Sequence, residues 1–135
     1  MIIKSITAKE TWPLRHAVMW PQMPFDFVKL PEDPDGYHFG LFIDKELVSV
    51  VSLFQTADGI AQFRKFATLA NRQGKGYGAK LLSHLIEFAQ KQGFRALWCN
   101  ARADKIAFYK KFGMGETQEF FTKENVKFAI LKKVL

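Results

Sequence analysis

Three glycines at alternate positions, Gly74, Gly76 and Gly78, punctuate the run Gln73-Gly74-Lys75-Gly76-Tyr77-Gly78, and Ala79-Lys80-Leu81-Leu82 follows at once. Glycine has no Cβ, so its backbone N–H groups can approach a ligand closely. The apolar spacing after the run predicts a helix, whose first N–H groups lack partners and carry the positive end of its dipole. Together these make a cradle for a phosphate or pyrophosphate. A P-loop does not fit, because Lys75 is followed by Gly76 rather than by Ser or Thr, and the four-residue spacer is missing. Gly74, Gly76 and Ala79 satisfy G-x-G-x-x-[G/A]. A dinucleotide fold also wants an acid at the end of the next strand, and Leu97-Trp98-Cys99-Asn100 supplies none.

Other reactive residues are sparse. His16, His38 and His84 have no metal-ligand spacing, which argues against a metal site. Cys99 is the single cysteine, so no internal disulfide forms and a reducing, cytoplasmic setting is expected. It reads as a packed strand residue with no His partner for covalent catalysis. The net charge of +7 suits an anionic partner. The basic residues are scattered rather than clustered, which disfavours nucleic acid. Met1-Ile2-Ile3-Lys4-Ser5 does not read as a signal peptide, and no apolar run approaches a membrane span.

The elements that would position these residues follow from pattern. A first strand is expected over 2–6. Thr7 and Glu10 form a capping box for a helix over 8–20, with Leu14, Val18 and Trp12 facing inward. Pro21, Pro24, Pro31 and Pro34 make 21–36 irregular. Strands are predicted over 37–43, 47–55 and 60–69 with turns at Asp44-Lys45-Glu46 and Asp58-Gly59. A helix over 76–92 carries Leu81, Leu82, Leu85, Ile86 and Ala89 on one face and ends at Gly93. A strand over 94–99, a helix over 102–112 and two strands over 115–121 and 126–133 complete the chain. This is an α/β (α+β) fold in one domain over 1–135: a mixed sheet of six to seven strands with helices on both faces.

With its glycine run and element order, the chain resembles the GCN5-related N-acetyltransferase (GNAT) superfamily. Gln73-Gly74-Lys75-Gly76-Tyr77-Gly78 matches that family's [Q/R]-x-x-G-x-[G/A] signature, and Phe108-Tyr109-Lys110-Lys111-Phe112-Gly113-Met114 matches its later tyrosine segment. Arg102 stands where many members carry an asparagine, seven residues before the tyrosine.

The resemblance implies transfer of acetyl from acetyl-coenzyme A to a primary amine by direct attack. The cofactor would be held by Gln73, Gly74, Lys75, Gly76, Tyr77 and Gly78, by free backbone groups at Phe66, Ala67 and Thr68, and by Arg102. Tyr109 would be the general acid for the departing thiolate. Arg15 and Arg64 would reach the acceptor, Arg15 having a structural ion pair as its competing role. Trp20, Phe25 and Phe27 would wall the pocket or anchor the loop. No carboxylate lies in Ile60–Phe66. The base would be Glu32, Asp33, Asp35 or a held water. The acceptor is a small molecule or a protein amine, and a homodimer is compatible. Two rivals are a non-catalytic coenzyme A sensor and a basic nucleic-acid-binding protein.

Overall fold

The computed structural model describes residues 1–135. In chain order, β1 is Ile2–Ser5, α1 Ala8–Leu14, β2 Tyr37–Ile43, β3 Glu46–Ala57, β4 Ile60–Thr68, α2 Tyr77–Lys91, β5 Ala96–Arg102, α3 Ile106–Lys110, β6 Gly115–Lys123 and β7 Val126–Val134. The seven strands form one sheet in the order β1-β2-β3-β4-β5-β7-β6. β4 and β5 run parallel and every other pair is antiparallel. The parallel pair is the one that needs a long crossover, and α2 supplies it. No helix is long and apolar enough to cross a membrane.

Helices cover both faces. On one face α2 inserts Leu81, Leu82, Leu85 and Ala89 against Phe39, Leu53, Phe63 and Leu97, with α3 beside it. Burying each of these leucines and phenylalanines stabilises by about 1.5–3 kcal/mol. On the other face Leu14 of α1 packs on Val50 of β3 and Ala67 of β4. The Thr7–Glu10 capping box forms as the sequence predicts. Gly93, at φ +88°, ends α2 in the left-handed region that glycine tolerates.

Three elements differ from expectation. α1 stops at Leu14, and Arg15–Met19 continue as a wider π-turn. Pro13 lies inside the helix and removes one of its donors, which explains the early loss of regular α geometry. β5 starts at Ala96 rather than 94, because Phe94 N–H still bonds back to the Ala89 carbonyl at the helix exit. It runs on to Arg102, held by β7 as far as Arg102 opposite Phe128. α3 is accordingly short, preceded by a single 3₁₀ turn at Ala103–Lys105.

Arg15 corrects its expected role in the acceptor site. Its side chain is fully buried and bonds Asp33 twice, at 2.9 Å from Nη1 and 2.9 Å from Nη2. It also donates to the Val28 carbonyl at 3.0 Å and to Ser52 Oγ at 2.9 Å. Asp33 accepts further bonds from the Trp12 indole and the Leu30 N–H, and His38 bridges Ser52 Oγ and the Asp33 carbonyl. The guanidinium therefore ties the proline-rich segment to the sheet and has no face left for a ligand. Asp33 is equally committed and cannot serve as the base. Burial alone would raise its pKa, but bonds from Arg15, Leu30 and Trp12 outweigh that and hold it at about 2.

Removing one partner of a buried pair strands the other charge. Asp33→Ala should cost about 3–5 kcal/mol in urea unfolding, and Arg15→Met with Asp33→Leu should recover most of it. The carboxylate's contribution is fully present above its ordinary pKa of 3.8 and fades as pH falls toward about 2. Unfolding measured between those values should therefore show a stability loss that Asp33→Asn removes.

Candidate functional site

β4 pairs with β5 only at Ile60–Ala96, Ala61–Leu97 and Gln62–Trp98. Beyond Gln62 the strands splay, and the edge of β4 from Phe63 to Thr68 has no strand beside it on the β5 side. A cavity of about 500 Å³ opens in this gap, between the glycine loop, α3 and the π-turn. The sheet therefore places the two sequence motifs, 73–78 and 108–114, on either side of one opening.

The glycine loop leads directly into α2. Gly74 and Gly76 have φ of +77° and +82°, and a Cβ at either would meet nothing within 4 Å. The space in front of them is open, and the conformation is one that other residues adopt at a cost. A Cβ on Gly78 would lie 3.2 Å from the Phe66 ring and 3.4 Å from Thr68 Oγ1, so this glycine lets helix and strand approach. The backbone N–H groups of residues 74–79 donate to no acceptor in the protein. α2 also lacks a side-chain cap at its N-cap, Gly76. Such a set of amides at a helix start can hold a diphosphate.

Several groups around the glycine loop are already engaged within the protein. Gln73 Nε2 donates to the Thr68 carbonyl at 2.9 Å, so its side chain braces the loop against β4. Ser49 Oγ donates to the Ala67 carbonyl at 3.2 Å. The carbonyls of Ala67 and Thr68 are thus already engaged within the protein. Lys75 is exposed and its side chain does not line the cavity, whereas Tyr77 and Gly78 do.

Tyr109 stands inside the gap, its ring 5.7 Å from that of Phe63 and 6.3 Å from that of Phe66. Its hydroxyl has no hydrogen-bond partner in the protein. Burial, reinforced by the neighbouring Cys99, pushes its pKa well above the usual phenol value of 10. The group is a neutral O–H donor in the cavity wall. Cys99 lines the same cavity, and burial raises its thiol to about 12, which keeps it protonated and a poor nucleophile.

Five cations line the cavity, Arg64, Lys65, Arg72, Arg102 and Lys105, and no carboxylate does. Arg102 donates to the Met19 carbonyl at 2.9 Å and lies over Trp20, so it is directed to the π-turn wall rather than to the glycine loop. Arg64 pairs loosely with the exposed Glu32 at 3.5 Å. Trp20 is buried with Val28 and Phe128, and Phe27 packs edge-on against it at 5.2 Å. These aromatics anchor the loop; of this cluster, Met19 and Phe128 reach the cavity. Lys65 escaped sequence reasoning. It sits in a β-bulge at φ +58°, where β4 places Lys65 and Phe66 opposite Val51 alone. No residue pattern announces that bulge.

A family model described as the acetyltransferase (GNAT) family matches residues 5–114. An uncharacterized N-acetyltransferase of Bacillus subtilis (strain 168), YitI, is 29% identical over 127 residues, covering 88% of this chain and 85% of that protein. An acyl-CoA N-acyltransferase from Pseudomonas aeruginosa superposes with a TM-score of 0.83 at 18% identity, covering 98% of this chain and 97% of that one. A GNAT family acetyltransferase from Elizabethkingia anophelis, solved with acetyl-CoA bound, superposes with a TM-score of 0.76 at 16% identity, covering 99% and 97%.

The open space at Gly76 yields a direct check. Gly76→Trp should fold, with unchanged circular dichroism, yet weaken coenzyme A binding by at least about tenfold in calorimetry. Equal affinity would remove the loop from the donor site.

Proposed function

Because the chain belongs to the acetyltransferase (GNAT) family, we propose that it transfers an acetyl group from acetyl-coenzyme A to a primary amine by direct attack. The observation that carries this reading is the set of unpartnered amides at residues 74–79, beside a splayed β4 edge with the free Tyr109 hydroxyl in the same opening. The amides would hold the diphosphate. The unpaired edge of β4 would take the pantetheine arm as an added strand.

The amine nitrogen attacks the thioester carbonyl carbon, the C–S bond breaks, and the sulfur leaves as a thiolate. Tyr109 donates its phenolic proton to that sulfur or hydrogen-bonds it. A phenol held above its usual pKa keeps that proton at every physiological pH. A main-chain N–H at the bulge of β4 would steady the carbonyl oxygen as charge develops there. The attacking nitrogen must lose a proton, and no carboxylate lines the cavity to take it. Water reaching the opening is then the acceptor of that proton.

The missing carboxylate also favours a second reading, a coenzyme A-binding module without turnover. Acetyl-coenzyme A consumption with a panel of amines separates the two. Thiol release that requires an amine supports transfer. Tight binding with no amine-dependent release supports the module.

Tyr109→Phe should lower kcat by about 100-fold, with acetyl-coenzyme A affinity by calorimetry almost unchanged. The wild-type kcat should show no falling limb from Tyr109 up to about pH 10, because a raised pKa delays its ionisation. Full turnover in the variant would remove Tyr109 as the acid.

A further inference from the structure

Lys65 is a half-buried cation in the cavity that takes part in none of the six ion pairs of the chain. Of the acids on its side of the sheet, Asp33 is held by Arg15 and Glu32 contacts Arg64, while Asp35 and Glu124 are exposed and pair with no cation. The charges that act on Lys65 are Lys123, Arg64, Arg15 and Asp33. All of these belong to the face that carries α1, the proline-rich segment and the end of β6. None is a cation of the glycine-loop side, such as Arg72. Lys65 lies beside Arg64 in the cavity wall, on the strand that packs against the π-turn.

The surrounding cations are neutralised poorly. Arg102 has a carbonyl and the Trp20 ring, and Lys123 lies 5.3 Å from the Phe27 ring. Arg64 has a single long contact with an exposed acid. A half-buried ammonium among cations, without a counter-ion, is destabilised relative to water. Burial, with Lys123 and Arg64 adding repulsion, lowers its pKa to about 8. At pH 7 it is still mostly charged, so an entering anion would meet a cation whose own partner is missing. A polycationic acceptor would meet repulsion from the same groups.

We infer that the acceptor is an amine that also carries an oxyanion, a carboxylate or a phosphate, and that Lys65 is the side chain that holds it. This rests on the acetyl-transfer reading and names its substrate class. Lys65 becomes a specificity-determining residue: it lines the same cavity as Tyr109, and the amine to be acetylated would lie between them.

The test uses products, which need no turnover. N-acetyl amino acids and N-acetyl-phosphoethanolamine are titrated by calorimetry into protein saturated with coenzyme A, against the matching N-acetyl amino acid amides. The acids should bind at least about tenfold more tightly than the amides. Lys65→Met should erase that gap while keeping coenzyme A affinity, and Lys65→Arg should keep part of it. The gap should also shrink between pH 7 and 9 as Lys65 loses its proton. Which acids bind distinguishes carboxylate from phosphate.

Acids and amides that bind alike, no acid that binds, or a gap that survives in Lys65→Met would each overturn the inference. If that variant keeps the gap but loses a kcat ionisation near 8, Lys65 is a base instead and the inference fails. Failure of the wild-type protein to bind coenzyme A would overturn the acetyl-transfer reading and, with it, this assignment. The two failures are therefore separable.

Discussion

Everything in this molecule turns on backbone hydrogen-bonding capacity that the fold leaves unspent in one place. A β-sheet ordinarily satisfies both edges of an interior strand. Here β4 is interior, yet its partnership with β5 ends after three residue pairs. A helix ordinarily has its first amides capped. Here α2 starts from a left-handed glycine with no capping side chain. The two deficits are adjacent because β4 leads through the glycine loop into α2. An open strand edge and an uncapped helix start, side by side, make an elongated polar track with an anion seat at one end.

The surroundings keep that track open. Phe63, Phe66, Phe108 and Tyr109 form a group of tilted and edge-on aromatic rings on the α2 and α3 side of the opening. On the opposite face, the buried Arg15–Asp33 pair with Ser52 and His38 fastens the proline-rich segment to β2 and β3. That pair is costly to desolvate and expensive to break. Its position explains its retention: it fixes the π-turn whose Val18 and Met19 line the cavity. The charge left around the opening is positive, and the nearby Asp33 is consumed in holding the loop. The cavity thus offers unpartnered amides at the glycine loop and cationic side chains in its walls.

Some of this was legible in the residues. Thr7 with Glu10, the β-branched run of β3, the Asp58-Gly59 turn, the apolar stripe of α2 and Gly93 are local signals, and each marks a local outcome. The glycine run could be read as an anion cradle because φ preferences and helix-end amides act over a few residues. α1 gives way to a π-turn for a local reason, the donor that Pro13 removes inside the helix. Where a distant contact decides, reading failed by small but telling amounts. β5 shifts because β7 pairs with its end. The sequence left Arg15 between an acceptor contact and a structural ion pair, because its partner Asp33 arrives from 18 residues away.

By itself the sequence determined the alternation of strands and helices, the glycine cradle and the tyrosine segment, since these depend on side-chain periodicity and on backbone preferences of neighbouring residues. The tertiary structure alone decided that β4 and β5 part after Gln62, that Lys65 sits in a bulge, and that Arg15 is walled in while Arg64 and Arg102 border the cavity. Those outcomes depend on register between strands far apart in the chain and on which charges meet across the sheet. No short stretch of residues encodes a register, because it is set by how all the packed faces fit at once.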